Sequence, residues 1–110
     1  MAINLAAIEA RLRARLAELA EEDRRAAAST APVVLDQDSV GRLSRMDALQ
    51  MQAMALAAME RRTQERNRID AALKRLHTTD FGWCMRCGDE IATPRLLNDP
   101  TVVHCIRCAR

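Results

Sequence analysis

Apolar residues step by three and four along the first quarter of this chain, at Leu5, Ile8, Leu12, Leu16 and Leu19. Glu9, Arg11, Arg13, Arg15 and Glu18 stay off that stripe. The period is that of one face of an α-helix, and it predicts an amphipathic helix over residues 3–28. Residues 29–38 break the pattern: Pro32 resists helix continuation, and Val33-Val34-Leu35 favours extended backbone. Asp38 or Ser39 can cap a second helix by accepting a bond from its unpaired N–H groups, and this helix is expected over 39–77. Its apolar positions are Met46, Leu49, Ala53 and Leu56, followed by Ile69, Leu73 and Leu76. At 1.5 Å per residue it is about 55 Å long, too long to lie inside a globule of this size.

Folding the two helices back on each other about the connection pairs positions whose numbers add to about 67, as the matched stripes of a coiled-coil seam require. Ile8 then faces Met59, Leu12 faces Leu56 and Leu19 faces Leu49. Residues 63–77 are left without a helical partner. Ile69, Leu73 and Leu76 are therefore expected to pack on the C-terminal segment through Phe81, Trp83, Ile91 and Leu96. Between Met46 and Met59 the second helix is apolar nearly all round, and such a helix wants more than one packing partner. Met51, Met54 and Ala58 point away from the expected seam. One reading is that alanine and methionine merely tolerate exposure. The other is a second docking surface, for a homodimer through Met51 and Met54 or for a groove on a larger protein.

Four cysteines dominate the C-terminal third: Cys84, Cys87, Cys105 and Cys108 form two Cys-x-x-Cys pairs separated by 17 residues, with no other cysteine in the chain. Zinc wants four soft ligands in a tetrahedron, and each pair can present both sulfurs from one tight turn. Gly88 follows the first pair directly, where a residue free to take φ > 0 lets the turn curl its N–H groups toward the thiolates. Two disulfides would need an oxidising compartment, yet the N-terminus reads as a charged amphipathic helix rather than a signal peptide. A thioredoxin-like redox motif would carry one such pair near a βαβ pattern. A closed site of four thiolates binding Zn2+ fits best, and it leaves no open position for metal catalysis. His104 reads as a neighbour of the site or a surface residue. His77 suits the C-terminal dipole of the second helix.

With 110 residues, the chain is one small domain or a small module on an extended arm. Its only aromatic residues are Phe81 and Trp83, so a conventional core is poorly supplied. The fold class is mostly α: an antiparallel two-helix coiled-coil hairpin over 1–78, followed by a small four-cysteine zinc ribbon over 79–110. Net charge is +2 with neutral thiols, and four thiolates plus one Zn2+ bring the loaded protein near zero. Coating a nucleic acid calls for a basic surface instead. The longest uncharged run, Ala48 to Met59, is far below the roughly 20 residues of a membrane span. Arg61, Arg62, Arg66, Arg68, Lys74 and Arg75 make a basic stretch diluted by Glu60, Glu65 and Asp70, which reads as a solvated helix face. No nucleophile triad or phosphate loop is present, so an enzyme is not expected. Asp36 and Asp38 in the connection serve turn chemistry, or form an acidic tip that probes a metal or basic pocket in a partner.

The helical hairpin followed by Phe81-Gly82-Trp83-Cys84-Met85-Arg86-Cys87-Gly88, then Ile91, Arg95-Leu96, Pro100 and Cys105-Ile106-Arg107-Cys108, resembles the DksA/TraR family. The resemblance implies a cytoplasmic bacterial transcription regulator that binds RNA polymerase. In that family the coiled coil enters the secondary channel and its acidic tip nears the active centre, without DNA contact. The family's tip pattern Asp-x-x-Asp-x-Ala, counted back from the cysteines, falls on Gly41, Ser44 and Met46, so the role passes to Asp36 and Asp38 as the acidic residues of the connection. Other classes compatible with the residues are a zinc-ribbon nucleic-acid binder using Arg86, Arg95, Arg107 and the second-helix arginines Arg61, Arg62, Arg66, Arg68 and Arg75, and a self-associating structural helical protein built on Met51 and Met54.

Overall fold

In a computed structural model, which describes residues 3–29 and 42–109, Asn4 opens the first helix. Its side-chain oxygen accepts from the Ala7 N–H at 3.1 Å and its carbonyl from the Ile8 N–H at 3.1 Å, satisfying two donors of the first turn. Helix α1 spans Leu5–Ser29, α2 spans Arg42–Leu76 and a short α3 spans Thr93–Asn98. Lys74 and Arg75 place cationic side chains in the last turn of α2, where its dipole favours them. The N–H groups of His77 and Thr78 then close that end on the carbonyls of Lys74 and Arg75, at 3.2 and 3.0 Å. Among the described residues, no helix is long and apolar enough to cross a membrane.

The chain forms two compact units, Met1–Leu16 with Arg66–Arg110, and Ala17–Glu65. In the first, Ile8 and Leu12 of α1 and Ile69, Ala72 and Leu73 of α2 are buried. A second buried group there joins Cys84, Ile91, Leu96 and Cys105, with Ile3, Phe81, Val102 and Cys108 packed against it. Fully burying a leucine or isoleucine is worth about 1.5–3 kcal/mol, so Ile91 and Leu96 alone cannot order a module of this size. In the second unit Leu19 is fully buried, and Arg62 Nε donates to Asp23 Oδ1 at 2.5 Å.

The two long helices pack together, but not in the expected register. Glu9 meets His77 at 3.5 Å and Asp23 meets Arg62, so paired positions add to 86 and 85 rather than about 67. Leu12 then lies level with Leu73 and Lys74, and Leu16 with Ile69 and Asp70; the last turns of α2 have a helical partner after all. The face of α2 differs too. Ala55, Ala58, Arg62, Ile69, Ala72 and Leu73 are among its less exposed positions, whereas Met46, Leu49, Ala53 and Leu56 are open to solvent. The cause is the segment 46–59, which is apolar on both sides and so names no single seam. Ile69 and Leu73, flanked by charged residues, do name one.

Candidate metal centre

The first pair of cysteines sits in a tight loop between Gly82 and Ile91. The Ile91 N–H donates to the Gly82 carbonyl and the Cys84 N–H to the Asp89 carbonyl, both at 2.8 Å. Trp83 and Glu90 form an antiparallel bridge between those bonds. Closing the loop takes left-handed backbone at Gly82 (φ 91°) and Gly88 (φ 79°), which side chains with a Cβ rarely adopt. Gly88 N–H thereby reaches the Cys84 carbonyl at 2.9 Å, and Arg86 N–H points at Cys84 Sγ at 3.4 Å. The second pair makes its own turn, with the N–H groups of Cys108 and Ala109 on the Cys105 carbonyl, both at 3.0 Å. A bond from Met85 N–H to the Val103 carbonyl, 2.8 Å, joins the two turns.

These turns bring the four sulfurs within 4.8 Å of one another, and Cys87 Sγ lies 3.7 Å from Cys105 Sγ. A tetrahedron with metal–sulfur bonds of about 2.3 Å has edges of about 3.8 Å, so the cage has the size zinc requires. A disulfide needs sulfurs about 2.05 Å apart, and all four thiols are free. Burial works to raise the Cys84 thiol, but N–H groups of Cys87, Cys105 and Arg86 outweigh it and hold the thiol down to about 5. The Cys108 N–H similarly lowers Cys105. Cys108 is pushed up to about 12, first by its hydrogen bond to Cys105 and then by burial; Cys87 is also raised. Each turn thus pairs a thiol whose ionisation is eased, Cys84 or Cys105, with one whose ionisation is opposed, Cys87 or Cys108. Only a cation at the centre lets all four ionise together.

Arginines brace the module. Arg107 of the second turn meets Asp89 of the first at 2.8 Å, and this carboxylate together with the Cys105 thiolate holds the guanidinium above its usual value. Arg95 Nε donates to the His104 carbonyl at 3.1 Å. Arg11, from α1, donates through Nη1 to the Leu97 carbonyl at 2.5 Å and through Nη2 to that of Asn98 at 3.1 Å. It thereby caps the C-terminus of α3, where carbonyls lack helical partners.

The segment 80–110 matches the model of the prokaryotic dksA/traR C4-type zinc finger. Across 56 residues, 46% of this chain, the sequence is 45% identical to an RNA polymerase-binding transcription factor DksA of Haemophilus influenzae, covering 39% of that protein. It is 39% identical over 56 residues to the protein of the same name in Escherichia coli, covering 37% of it. The matched segment therefore spans well under half of these curated relatives. The solved structure of transcription factor DksA2 from Pseudomonas aeruginosa superposes on 94% of the chain and 72% of its own, with TM-score 0.62 and 28% identity. The finger of residues 80–110 is thus of the DksA/TraR type. The family's C4-type finger and the four clustered thiols make the chain a Zn2+-binding protein.

Within that family frame, the structure gathers Cys84, Cys87, Cys105 and Cys108 as a single cluster, and among the described residues no histidine or carboxylate joins it. Asp36 and Asp38 lie outside the described residues. Trp83, expected to pack inward, is 46% exposed, because its loop spends its backbone on the Glu90 bridge and turns the indole out. The bracing contacts of Arg11, Asp89 and Arg95 were not legible in the sequence, although Arg95 itself stands in the motif. Their partners are carbonyls or a charge 86, 18 and 9 residues away, separations that helical periodicity does not encode. The Thr93-Pro94 start of α3 was a local signal, since proline suits the first helical positions.

Proposed function

We propose that this protein is a non-enzymatic transcription regulator that docks on bacterial RNA polymerase in the cytoplasm. The observation that carries the reading is the four-thiol cage of a dksA/traR finger joined to two long paired helices. The curated relatives at 45% and 39% identity are named for binding RNA polymerase. Cys84, Cys87, Cys105 and Cys108 hold a structural Zn2+, and all four positions are protein sulfur, so the ion orders the module rather than reacting. The helical hairpin enters the polymerase secondary channel, and Asp36 and Asp38 act on the active centre from within it, with no contact to DNA.

A polynucleotide-binding reading draws less support. Of the arginines it would use, Arg62 is paired with Asp23, Arg107 with Asp89, and Arg95 with the His104 carbonyl. A third class is self-association through Met51 and Met54, and Met51→Glu/Met54→Glu run beside the wild type in sedimentation addresses it.

Purified polymerase immobilised at physiological salt should retain the protein. Asp36→Asn/Asp38→Asn should change promoter output in a purified transcription assay while retention persists. Absence of retention removes the reading; steeply salt-dependent binding to bare duplex DNA would favour the polynucleotide class instead.

A further inference from the structure

Of the four cysteines only Cys87 is exposed; Cys84 and Cys105 are buried and Cys108 is half-buried. The cage is therefore open to water at one corner. On the Cys84 side the two turns are tied by backbone, through the Met85 N–H on the Val103 carbonyl. At the Cys87 corner the tie is made by side chains. Arg107, from the second turn, places Nη2 2.8 Å from Oδ2 of Asp89, two residues after Cys87. The same guanidinium hydrogen-bonds the Cys105 sulfur and faces the charge of Cys87. Those two sulfurs are 3.7 Å apart. One side chain thus spans the exposed edge of the cage, from the carboxylate of one turn to the sulfurs of both.

Charge sets what that position does. Four thiolates outweigh one divalent cation by two negative charges, and Arg107 is the cation set against that excess at the exposed edge. An ion pair this open to water, with side chains 77% and 61% exposed, adds little to overall stability. Its place matters more. A competing ligand takes the metal by displacing one thiolate, and the sulfur it can reach from solvent is that of Cys87. We infer that Arg107 is the latch of the cage: held by Asp89, it closes the Cys87 edge, and a competing ligand reaches the bound metal only when that bridge opens. Arg107 and Asp89 are thus positioning residues for the zinc, acting on how fast it is exchanged rather than on whether the module folds.

Two readouts on the full chain test the latch: zinc transfer to an excess of a coloured chelator at pH 7, and the thiolate-to-cobalt bands of the Co2+-loaded protein. Arg107→Met should speed transfer about tenfold, the lower end of what residues supporting a metal ligand contribute, with helical circular dichroism and one metal per chain retained. A positive charge and a donated N–H lower the energy of sulfur electrons, so the same variant should move the cobalt bands to longer wavelength. A residue that only stabilised the fold would leave them in place. Arg107→Lys should recover part of both effects, because an ammonium keeps the charge without the fork that reaches two partners. Asp89→Asn should speed transfer less, and adding it to Arg107→Met should change nothing further, since the carboxylate acts through the guanidinium. Arg86→Met removes an exposed arginine from the first turn and should leave rate and bands at wild-type values. Unchanged transfer or unmoved bands in Arg107→Met overturn the proposal. So does an equal effect of Arg86→Met, or a full additional effect of Asp89→Asn in the double variant.

Discussion

Replacing Arg11 with methionine tests how helix α1 supports the zinc module. Methionine keeps much of the apolar stem and removes the guanidinium, whose two N–H groups cap the Leu97 and Asn98 carbonyls at 2.5 and 3.1 Å. A hydrogen bond to a charged group contributes about 1.5–3 kcal/mol when water is kept away. Arg11 is exposed, so screening brings each bond toward the 0–1 kcal/mol of surface ion pairs. Together the two bonds stabilise α3 by about 1–2 kcal/mol. At about 1.4 kcal/mol per tenfold change, local opening of α3 becomes about 5–30 times more frequent. Native-state hydrogen exchange reads this at the Asp99 amide, which donates to the Arg95 carbonyl at 3.0 Å and is freed when α3 opens. The Gly88 amide, bonded to Cys84 inside the metal loop, should keep its wild-type rate as the internal control. Arg11→Lys should recover only part of the loss, since an ammonium cannot span both carbonyls with a rigid fork. If Asp99 exchanges at the wild-type rate in Arg11→Met, the cap is not what holds α3, and the reasoning fails.

Three further expectations follow from the same geometry. Gly88→Ala meets no atom within 4 Å of the new Cβ, so its cost is the left-handed backbone alone, about 1–2 kcal/mol, read as roughly tenfold easier zinc loss to a competing chelator. Asp23→Arg and Arg62→Asp should each lower the melting temperature and the double exchange should restore most of it; independent, additive losses would contradict the 85 register. On the proton side, a thiol held down to about 5 is already ionised at pH 7, whereas one pushed up to about 12 is not. Cys84 then releases nothing on metal binding, while Cys108 and the raised Cys87 each release a proton. Calorimetry in buffers of different ionisation enthalpy should give at least two but fewer than four protons per metal at pH 7, and release falling toward zero is the contrary result.

The metal cage was legible because its constraints are local. Two Cys-x-x-Cys turns and a glycine at position 88 encode a geometry that each turn builds from its own backbone, and φ at Gly88 is 79° as that reading requires. The two long helices were legible for the same reason, since periodicity is a property of neighbouring residues. Their register was not. A segment that is apolar on both sides accepts several pairings, and the choice is made by single contacts such as Asp23–Arg62 and Glu9–His77, between residues 39 and 68 positions apart. Arg11 shows the same limit: on the sequence it is one more charged residue off the apolar stripe, and its partners are backbone carbonyls that no residue type announces. Trp83 misled because a lone large aromatic invites a core assignment, whereas the loop between Gly82 and Ile91 is fixed by backbone bonds and leaves the indole outside.

The central claim is that four thiolates close around one metal ion and order residues 80–110. The most direct measurement is elemental analysis of reduced, natively produced protein, paired with the absorption spectrum after Co2+ replaces the bound metal. One zinc per chain, and intense thiolate-to-cobalt bands with the strong visible absorption of a tetrahedral site, is the predicted result. Substoichiometric metal, or the weak absorption of six-coordinate cobalt, would contradict it.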